Sequence, residues 1–402
     1  MPWLTVIGIG DNGAAGLSAE ARQALDAATA VLGARRVLDA LDLQGKDLID
    51  WANGFEATLG KILSRRGTPL AILATGDPMH FGIGATLALH VAPEEMRVIA
   101  APSAFSLAAA RLGWPLQAVE CISLHGRPVA RLAAYLADRQ RIIALTSDGG
   151  TVRAAAALLA QSGYGRSRLT VLEHMGGERE RVVSFAAADP DPDPHGFADF
   201  NTLAVECIAD ARAMLDGTAA GLPDAAFEHD GQLTKREVRA AVLAHLRPGG
   251  SRMLWDVGAG CGSIAIEWLR AAPHGSAVAI EPAASRIAMI RANAEALGVP
   301  HLKLVEGDAP EALERLAPPD AVFIGGGLTG AAVFETAWSA LRPGGRLVAT
   351  AVTLESEARL LALQAGHGGT LTRIAVTRAE PVGRFTGWKP LMPVTLWSVA
   401  KP

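Results

Sequence analysis

The sequence predicts an α/β protein built from two domains. The chain has 402 residues, more than one hydrophobic core usually holds, because domains commonly contain about 100–200 residues. Half of the residues are hydrophobic and 19% are charged, as in a folded chain with buried cores. Short apolar runs alternate with Ala- and Leu-rich stretches, and this alternation is typical of layered α/β folds.

In the first half, apolar runs of strand length are separated by stretches with helical composition. Ser18 precedes one of these stretches and has the side chain of a helix N-cap. The predicted helices span residues 18–30 and 152–161, and the predicted strands span residues 4–8, 70–74, 98–100, 141–146, 169–172 and 202–207.

A segment of small residues at 216–223 separates the two halves, and the α/β alternation restarts after it. We therefore predict a first domain at residues 1–210, a linker at 211–223 and a second domain at 224–402. In the second half, helices are predicted at 263–270 and 285–297, and strands at 253–257, 277–280, 302–305, 321–324 and 346–351.

Charge and cysteine content exclude several classes of protein. The formal net charge of −4 gives no reason to expect a nucleic acid or an anionic membrane as partner. The three cysteines form no CxxC pair, so neither a disulfide framework nor a zinc site is predicted. The sequence has no signal-peptide pattern and no apolar run of about 18 residues. We therefore expect a cytoplasmic protein that uses no metal ion.

A glycine-rich turn in the second half is the first candidate ligand site. It follows one predicted strand and opens a helix, so its backbone N–H groups can face a ligand. Its GxGxG spacing favours S-adenosylmethionine over a dinucleotide, whose fingerprint is GxGxxG. Glu281 and Asp308 end the next two strands, where they can contact ribose and adenine; ordinary turn chemistry is the alternative. The predicted donor contacts here are Gly258, Ala259, Gly260, Cys261, Gly262, Glu281, Asp308 and Ala309.

The first half has its own glycine-rich turn, Gly8 to Gly13, directly after the strand at 4–8. Its spacing is GxGxxG, so a nicotinamide site is an alternative here. Against that alternative, four residues separate the turn from the Ser18 cap, and no acid follows at a clear second strand end. Two further turns, Gly76-Asp77-Pro78 and Pro102-Ser103, also follow apolar strands and offer backbone donors and acceptors.

These three turns together resemble the tetrapyrrole (corrin/porphyrin) methylase family, over about residues 3–210. The resemblance implies a two-lobed α/β fold in which S-adenosylmethionine lies in a cleft between the lobes. The segments at 111–115 and 123–127 are similar to the branch that methylates carbon 5 of precorrin-6Y. The implied donor contacts are Gly8, Gly10, Gly76, Asp77, Pro78 and Ser103, and His125 and Arg127 are candidate substrate contacts.

The second half resembles a family that methylates carbon 15 of the same precursor and decarboxylates it. The similarity lies in residues 227–235, 307–311, 325–327 and 352–355 and in the glycine-rich turn. It implies a Rossmann-like class I methyltransferase fold, a donor contact from Thr234 and a homo-oligomer, a tetramer through the second domain. The order of the halves is that of fused enzymes of cobalamin biosynthesis, which form precorrin-8 from precorrin-6Y and remove the ring C acetate carboxyl at carbon 12.

Proton transfer and carboxylate binding require residues beyond the donor sites. His229 lies between Glu228 and Asp230, so neighbouring carboxylates would tune it as a general acid or base. Glu355 is a second candidate for proton transfer, and structural or surface roles are the alternative throughout. The candidate clamps for substrate carboxylates are Arg236, Arg239, Arg378, Arg384 and Lys389.

Thr234 also has a local interpretation, as the N-cap of a helix at 235–246 with Glu237 completing a capping box. Two positions depart from the family patterns. Asp11-Asn12 stands where many tetrapyrrole methylases have Pro-Gly, and Thr350 stands where related sequences often have Asn.

Three alternatives remain open at the level of sequence. A methyltransferase acting on RNA or protein shares the fold of the second half, but only 5% of the residues are aromatic and no basic stripe accompanies them. A nicotinamide oxidoreductase would use the first turn. One half could instead be a non-catalytic interaction module, although both halves keep their glycine-rich turns.

Overall fold

The computed structural model describes residues 2–51, 54–190, 192–330 and 332–402. The chain folds into two compact units. The first unit contains Met1–Arg127 and Arg139–Ala209, and the second contains Pro128–Asp138 and Asp210–Pro402. The α/β class predicted from the sequence is confirmed in both.

The first sheet of the first unit is parallel, with the strand order β3-β2-β4-β1-β5. Val6 and Ile7 point into separate hydrophobic clusters, so the central strand is buried on both faces, as parallel sheets require. The Ser18 hydroxyl accepts a hydrogen bond from Ala21 N at 3.1 Å, which confirms it as an N-cap. The elements are β1 (Leu4–Ile9), α1 (Ala19–Ala27), β2 (Ala30–Gly33), α2 (Arg35–Leu38), β3 (Asp47–Asp50), α3 (Gly54–Leu63), β4 (Leu70–Thr75), α4 (Ile83–Leu87), β5 (Met96–Ile99) and α5 (Ala104–Leu112).

The second sheet of the first unit is mixed, with the order β6-β7-β10-β8-β9. The first two strands in this order are parallel, and the remaining pairs are antiparallel. Its elements are β6 (Glu120–Ser123), β7 (Arg141–Leu145), α6 (Gly149–Gln161), β8 (Arg168–Glu173), β9 (Arg181–Ala186) and β10 (Asn201–Glu206).

The second unit is built on one sheet with the order β13-β12-β11-β14-β15-β19-β16. Its first five strands are parallel, and β19 is antiparallel to both of its neighbours. The elements are α7 (Arg236–Leu246), β11 (Met253–Val257), α8 (Ser263–Ala271), β12 (Ser276–Glu281), α9 (Ala284–Ala296), β13 (Lys303–Glu306), β14 (Ala321–Ile324), α10 (Val333–Ala340), β15 (Arg346–Ala351), α11 (Leu354–His367), β16 (Thr370–Ile374), β17 (Thr377–Val382), β18 (Phe385–Pro390) and β19 (Val394–Ala400).

The chain order of these strands determines where a ligand can bind. After β11 the chain builds β12 and β13 on one side, and it then returns to add β14 and β15 on the other. Ligands of open α/β sheets bind at such a reversal, outside the carboxyl ends of the strands. Short 3-10 helices complete the fold at Gly13–Gly16, Pro93–Glu95, Leu116–Ala118, Val129–Tyr135, Asp224–Ala226 and Glu311–Leu313.

The start of α7 differs from the expectation. The helix begins at Arg236, and Thr234 is not its N-cap. The Asp224 carboxylate, twelve positions earlier, accepts the Arg236 N–H at 2.9 Å instead. The capping-box interpretation of Thr234 and Glu237 is therefore wrong, because a carboxylate brought in by the tertiary fold already satisfies this end of the helix.

Two buried ionic side chains hold the connecting segments in the second unit. Glu267 accepts hydrogen bonds from Gly221 N at 2.6 Å and Leu222 N at 3.0 Å. Arg270 donates to Ala133 O at 3.1 Å and to Gly217 O at 2.8 Å. Residues 128–138, placed by sequence in the first domain, thus pack within the second unit, while the predicted domain limits stay a prediction.

Candidate functional site

The glycine-rich turn between β11 and α8 forms the floor of the site in the second unit. Gly258, Gly260 and Gly262 have φ values of +71°, +60° and +80°, which disfavour other residues. A Cβ on Gly258 would lie 3.0 Å from the backbone of Gly326, and one on Gly262 would lie 2.7 Å from Ile290. The glycines are thus required both for the turn and for close packing around it.

Glu281 closes one side of this turn. Its side chain is only 3% exposed, and Oε2 accepts a hydrogen bond from Gly260 N at 2.9 Å. The Arg286 guanidinium lies 3.7 Å from Oε1, which also accepts from Ala283 N at 3.3 Å. A carboxylate held in this way keeps lone pairs for hydroxyl donors of a ligand.

These groups line a cavity of about 970 Å³ at the carboxyl edge of the sheet. Of the predicted donor contacts, Thr234, Gly258, Ala259, Gly260, Cys261, Glu281, Asp308 and Ala309 line it. Gly262 does not, and it acts through the turn geometry instead. A volume near 1,000 Å³ is at the upper end for small-molecule sites, so the cavity has room beyond one nucleoside-sized ligand.

The far end of the cavity is apolar. Val352, Val376, Leu391 and Met392 line it, together with Thr350, the position that departs from the family pattern. Met392 is 67% exposed and Val352 is 52% exposed, so this end opens to the surface. An apolar, open end suits a large hydrophobic ring system better than a second polar nucleotide.

None of the four predicted proton-transfer residues, all of which lie in the described ranges, lines the cavity. The Nδ1 atom of His229 accepts from Gly231 N at 3.1 Å, and Glu228 is tied through its backbone to Asn293. Asp230 accepts from Gln232 N, and this bond and its ion pair with Arg286 lower its pKa. These contacts shape the loop whose next residues, 231–235, do line the cavity.

Glu355 and the candidate arginines lie elsewhere. Glu355 is exposed in the first turn of α11, and Arg236 is exposed at the start of α7. Arg384 is exposed between β17 and β18, with its guanidinium 5.0 Å from the ring of Phe385. Arg378 is paired with Asp224 and Glu237, and Lys389 with Glu380.

Arg239 has a structural role rather than the suggested role as a substrate clamp. Its side chain is 0% exposed and pairs with Glu267 at 2.5 Å and Asp224 at 3.1 Å. It also donates to the Thr234 and Leu222 carbonyl oxygens. Because its charge is already paired by two carboxylates and its N–H groups reach loop carbonyls, the guanidinium organises the loops beside the cavity.

Asp256 is a buried acid that the sequence did not single out. It is fully buried at the end of β11, and burial together with nearby Glu281 raises its pKa to about 7. Oδ2 accepts from Ala265 N at 3.0 Å, whereas Oδ1 has no hydrogen-bond partner among the described residues. Burial also raises the pKa of the Cys261 thiol. The signal in the sequence was the acid directly before the glycine-rich turn.

In the first unit, the three predicted turns meet at the carboxyl ends of β1, β4 and β5. A Cβ on Gly8 would lie 2.4 Å from Gly76 O and 2.6 Å from Ala101 N. Gly76 N donates to Ile9 O at 2.9 Å, and Gly76 has a φ of +71°. The Gly8 and Gly76 turns and the start of α5 therefore form one backbone cluster.

The remaining side chains predicted for this site support its loops. The Asp77 carboxylate accepts from Met79 N at 2.9 Å, next to the buried Pro78, and the Ser103 hydroxyl caps α5 by accepting from Ser106 N at 3.1 Å. Gly10 packs against Asn12, whose Oδ1 would lie 2.8 Å from an added Cβ. These contacts hold each turn in place beside the strand ends.

His125 and Arg127 follow β6 and are both exposed. His125 Nδ1 lies 3.2 Å from Thr146 O, which holds the imidazole beside the end of β7. Arg127 lies over the ring of Phe81, with 5.5 Å from its guanidinium carbon to the ring centroid. The two predicted substrate contacts are therefore on the surface, and one of them adjoins the loop after β4.

Asp11, one of the departures from the family pattern, has a defined role. Its carboxylate accepts from Arg36 at 3.2 Å and lies 3.1 Å from His174 Nδ1. Arg36 in turn donates to Thr75 Oγ1 at 3.1 Å. The acid therefore ties the first glycine-rich turn to α2 and to the loop after β8.

Several cavity residues in the second unit escaped the sequence analysis. Arg286 and Met392 carried no motif, and Lys235 ends the 227–235 motif but was not predicted as a contact. Among the described residues, no helix is long and apolar enough to cross a membrane. No group of three or more His, Cys, Asp or Glu side chains in the same ranges could hold a metal ion.

Comparison with family models finds a match in each half. Residues 4–191 match the model of the tetrapyrrole (corrin/porphyrin) methylases. Residues 225–401 match the model of a precorrin methyltransferase domain.

Two similar proteins match along their whole length. A precorrin-6Y C(5,15)-methyltransferase [decarboxylating] from Sinorhizobium sp. is 49% identical, with 100% of this chain and 97% of the relative covered. A protein of the same name from Mycobacterium tuberculosis (strain ATCC 25618 / H37Rv) is 40% identical, with 99% and 100% covered. The crystal structure of the C-terminal domain of the Rhodobacter capsulatus precorrin-6Y C5,15-methyltransferase is 47% identical over 46% of this chain and 100% of that one, at a TM-score of 0.44.

Proposed function

The chain belongs to the family of precorrin-6Y C5,15-methyltransferases (decarboxylating), and on that premise we propose a function for each unit. Each unit transfers one methyl group from S-adenosylmethionine to the same corrin precursor, at carbon 5 in the first unit and at carbon 15 in the second. The second unit also removes the carboxyl group of the ring C acetate. The observation that carries this proposal is the cavity that joins the glycine-rich turn, Glu281 and an apolar mouth.

The cavity of the second unit fits the methyl donor. The turn at 258–262 offers backbone N–H groups beside a helix N-terminus, and Glu281 can accept both ribose hydroxyls. Asp308 and Ala309 line the wall where an adenine edge would lie, and Thr234 and Lys235 line the opposite loop. When bound, the donor supplies an electrophilic methyl group on a sulfonium. The protein positions it and excludes water.

In the first unit, the fit rests on backbone rather than on charged side chains. Gly8 lies so close to Gly76 O that position 8 has no room for a larger residue, and Gly76 has a φ of +71°, which disfavours any other residue. With Gly10, Asp77, Pro78 and Ser103 they would hold the donor, and His125 and Arg127 would bind the substrate. Membership of a methyltransferase family, whose model covers this turn, argues against the nicotinamide alternative.

The chemistry demands little acid–base catalysis. Each transfer forms a carbon–carbon bond at the tetrapyrrole and breaks the sulfur–methyl bond, with a proton leaving later. Decarboxylation breaks the bond to the acetate carboxyl, and the conjugated ring holds the electron pair until a proton arrives. His229 and Glu355 are the proposed proton-transfer groups, while the fixed positions of Glu228 and Asp230 favour a supporting role in the loop. Arg236 and Arg384 are the proposed carboxylate contacts.

We also propose a cytoplasmic homo-oligomer formed through the second unit. The β17–β18 hairpin exposes Val382, Phe385 and Trp388, at 63%, 68% and 76%. Val382 and Phe385 are cross-strand partners on one face of the hairpin, and Trp388 lies on the other face. A two-stranded hairpin with exposed apolar side chains is marginally stable in water, so a second copy that covers them would stabilise it. Replacing Phe385 and Trp388 by Ser should reduce the mass measured by light scattering to that of a smaller species, and an unchanged mass would contradict this interface.

One assay tests the proposed function as a whole. The chain is incubated with precorrin-6Y and S-adenosylmethionine, and the product is weighed by mass spectrometry. Two added methyl groups and one lost carbon dioxide are expected. A chain that binds NAD(P) in calorimetry, ignores the methyl donor and leaves precorrin-6Y unchanged would overturn the proposal.

A further inference from the structure

The loop after β4 holds an aromatic residue in a backbone conformation that favours glycine. Phe81 has a φ of +55°, which few aromatic residues adopt. The loop is tight around it, because an added Cβ on Gly82 would lie 2.6 Å from Pro78 O. Glycine or asparagine would meet the backbone demand at position 81 with less strain. The backbone alone therefore does not account for a phenylalanine here.

Packing does not account for it either. The Phe81 side chain is 48% exposed. Its ring lies against Phe105, which is fully buried, with 5.8 Å between the two ring centroids. His80 contacts both rings, with its centroid 4.4 Å from that of Phe105 and 5.4 Å from that of Phe81. The three rings form a triangular cluster, and the Phe81 ring is the member that reaches the surface and still has open area for a ligand.

The position of this ring relates it to the donor site. Phe81 lies four residues after Asp77, and Phe105 follows the Ser103 cap, so the aromatic cluster is attached to two of the three turns of the proposed donor site. Arg127 places its guanidinium carbon 5.5 Å from the Phe81 centroid. A half-exposed aromatic ring beside a guanidinium is complementary to a flat conjugated molecule that carries carboxylates.

We propose that Phe81 is a substrate-binding residue, whose ring stacks on the tetrapyrrole during methylation in the first unit while Arg127 binds one of its carboxylates. This inference rests on the proposed function and adds a residue that neither the motifs nor the glycine-rich turns mark. The strain of the backbone is retained because it projects the ring from the loop, as strained residues do at binding sites.

The test uses the full chain and its two methylations. In Phe81→Asn, the KM for precorrin-6Y in carbon-5 methylation rises about tenfold, the loss expected for one stacked ring. The thermal midpoint does not fall, since asparagine tolerates positive φ. Binding of S-adenosylhomocysteine, measured by calorimetry, and methylation at carbon 15 stay at wild-type values. Phe81→Tyr keeps the ring and restores the KM.

Val182→Thr is the matched control, since Val182 is 50% exposed in the same unit but lies on β9. It leaves the KM unchanged. A wild-type KM in Phe81→Asn overturns the role of Phe81 while carbon-5 methylation by the wild-type chain still supports the proposed function. If the wild-type chain transfers no methyl to carbon 5, the proposed function and this inference both fall.

Discussion

At the scale of single residues, Asp256 makes the stability of the second unit depend on pH. Burial raises its pKa to about 7, from an ordinary value of 3.8. Between these values the folded chain binds more protons than the unfolded chain. The protonated carboxyl is therefore most favourable to folding at low pH, and this stability is lost as the pH rises through about 7.

Replacing Asp256 by Asn removes the titration and keeps an acceptor for the Ala265 N–H. From pH 5 to pH 8, the wild-type unit should lose stability relative to the variant by on the order of 2–3 kcal/mol. Urea unfolding of both proteins at the two pH values measures this difference. Two proteins whose unfolding free energies change in parallel would contradict the assigned shift.

Gly260 tests the donor site of the second unit. An aspartate there would carry its charge toward the cavity, next to Glu281, at a φ of +60°. We expect Gly260→Asp to weaken S-adenosylhomocysteine binding in the second unit at least 100-fold, which is about 2.7 kcal/mol. Calorimetry on the full chain measures the loss of one of two binding events.

Gly250→Asp is the control, because Gly250 has a φ of +57° and no atom within 4 Å of an added Cβ. The two variants share backbone strain and added charge but differ in their distance from the proposed site. Retained methylation at carbon 15 in Gly260→Asp would refute the placement of the donor.

At the scale of elements, Arg239 links α7, α8 and the segment at 221–224. Its guanidinium pairs with Glu267 and Asp224 and lies 4.7 Å from the ring of Phe227. Glu267 is 2% exposed, so it depends on this arginine for charge balance.

Replacing Arg239 by Met leaves the Glu267 carboxylate buried without its cation and should cost about 3–5 kcal/mol. Arg236→Met, on the exposed side of the same helix, should change stability by less than about 0.5 kcal/mol. Chemical denaturation of the second unit measures the unfolding free energy of both variants. Equal unfolding midpoints would show that Arg239 is not a structural centre of this region.

At the scale of the whole molecule, the second unit is completed by a segment from within the first half of the chain. Gly298 is the contact point, because a Cβ there would lie 2.1 Å from Ala134 N and its φ is +85°. Leu132 and Leu136 in the same segment are fully buried. The second unit thus depends on residues that a simple division of the chain would assign elsewhere.

We expect Gly298→Ala to destabilise the second unit by about 2 kcal/mol or more, since the left-handed backbone and the collision act together. Gly366→Ala, inside α11 with open space around it, should instead stabilise by about 0.5–1 kcal/mol. Thermal unfolding of the full chain measures the change in stability caused by each of the two substitutions. A neutral Gly298→Ala would show that residues 128–138 pack less closely than the structure has them.

Local signals in the sequence explain the parts of the fold that were predicted well. The strands at 253–257, 321–324 and 346–351 have the predicted limits, because each is a mostly apolar run of strand length bounded by turn residues. The β17–β18 hairpin was not predicted, since Pro381, Gly387 and Pro390 interrupt the apolar pattern of its two strands. The N-cap role of Thr234 was misassigned because the Arg236 N–H is bound by Asp224, twelve residues before Arg236.

The sequence by itself determined the α/β class, the family and the two glycine-rich turns, because each depends on residues that are neighbours in the chain. Only the tertiary structure decided that Arg239 is a buried structural cation, that residues 128–138 complete the second unit, and that Arg286 and Met392 reach the cavity. Burial and charge pairing depend on contacts between distant segments, and those contacts exist only once the chain has folded.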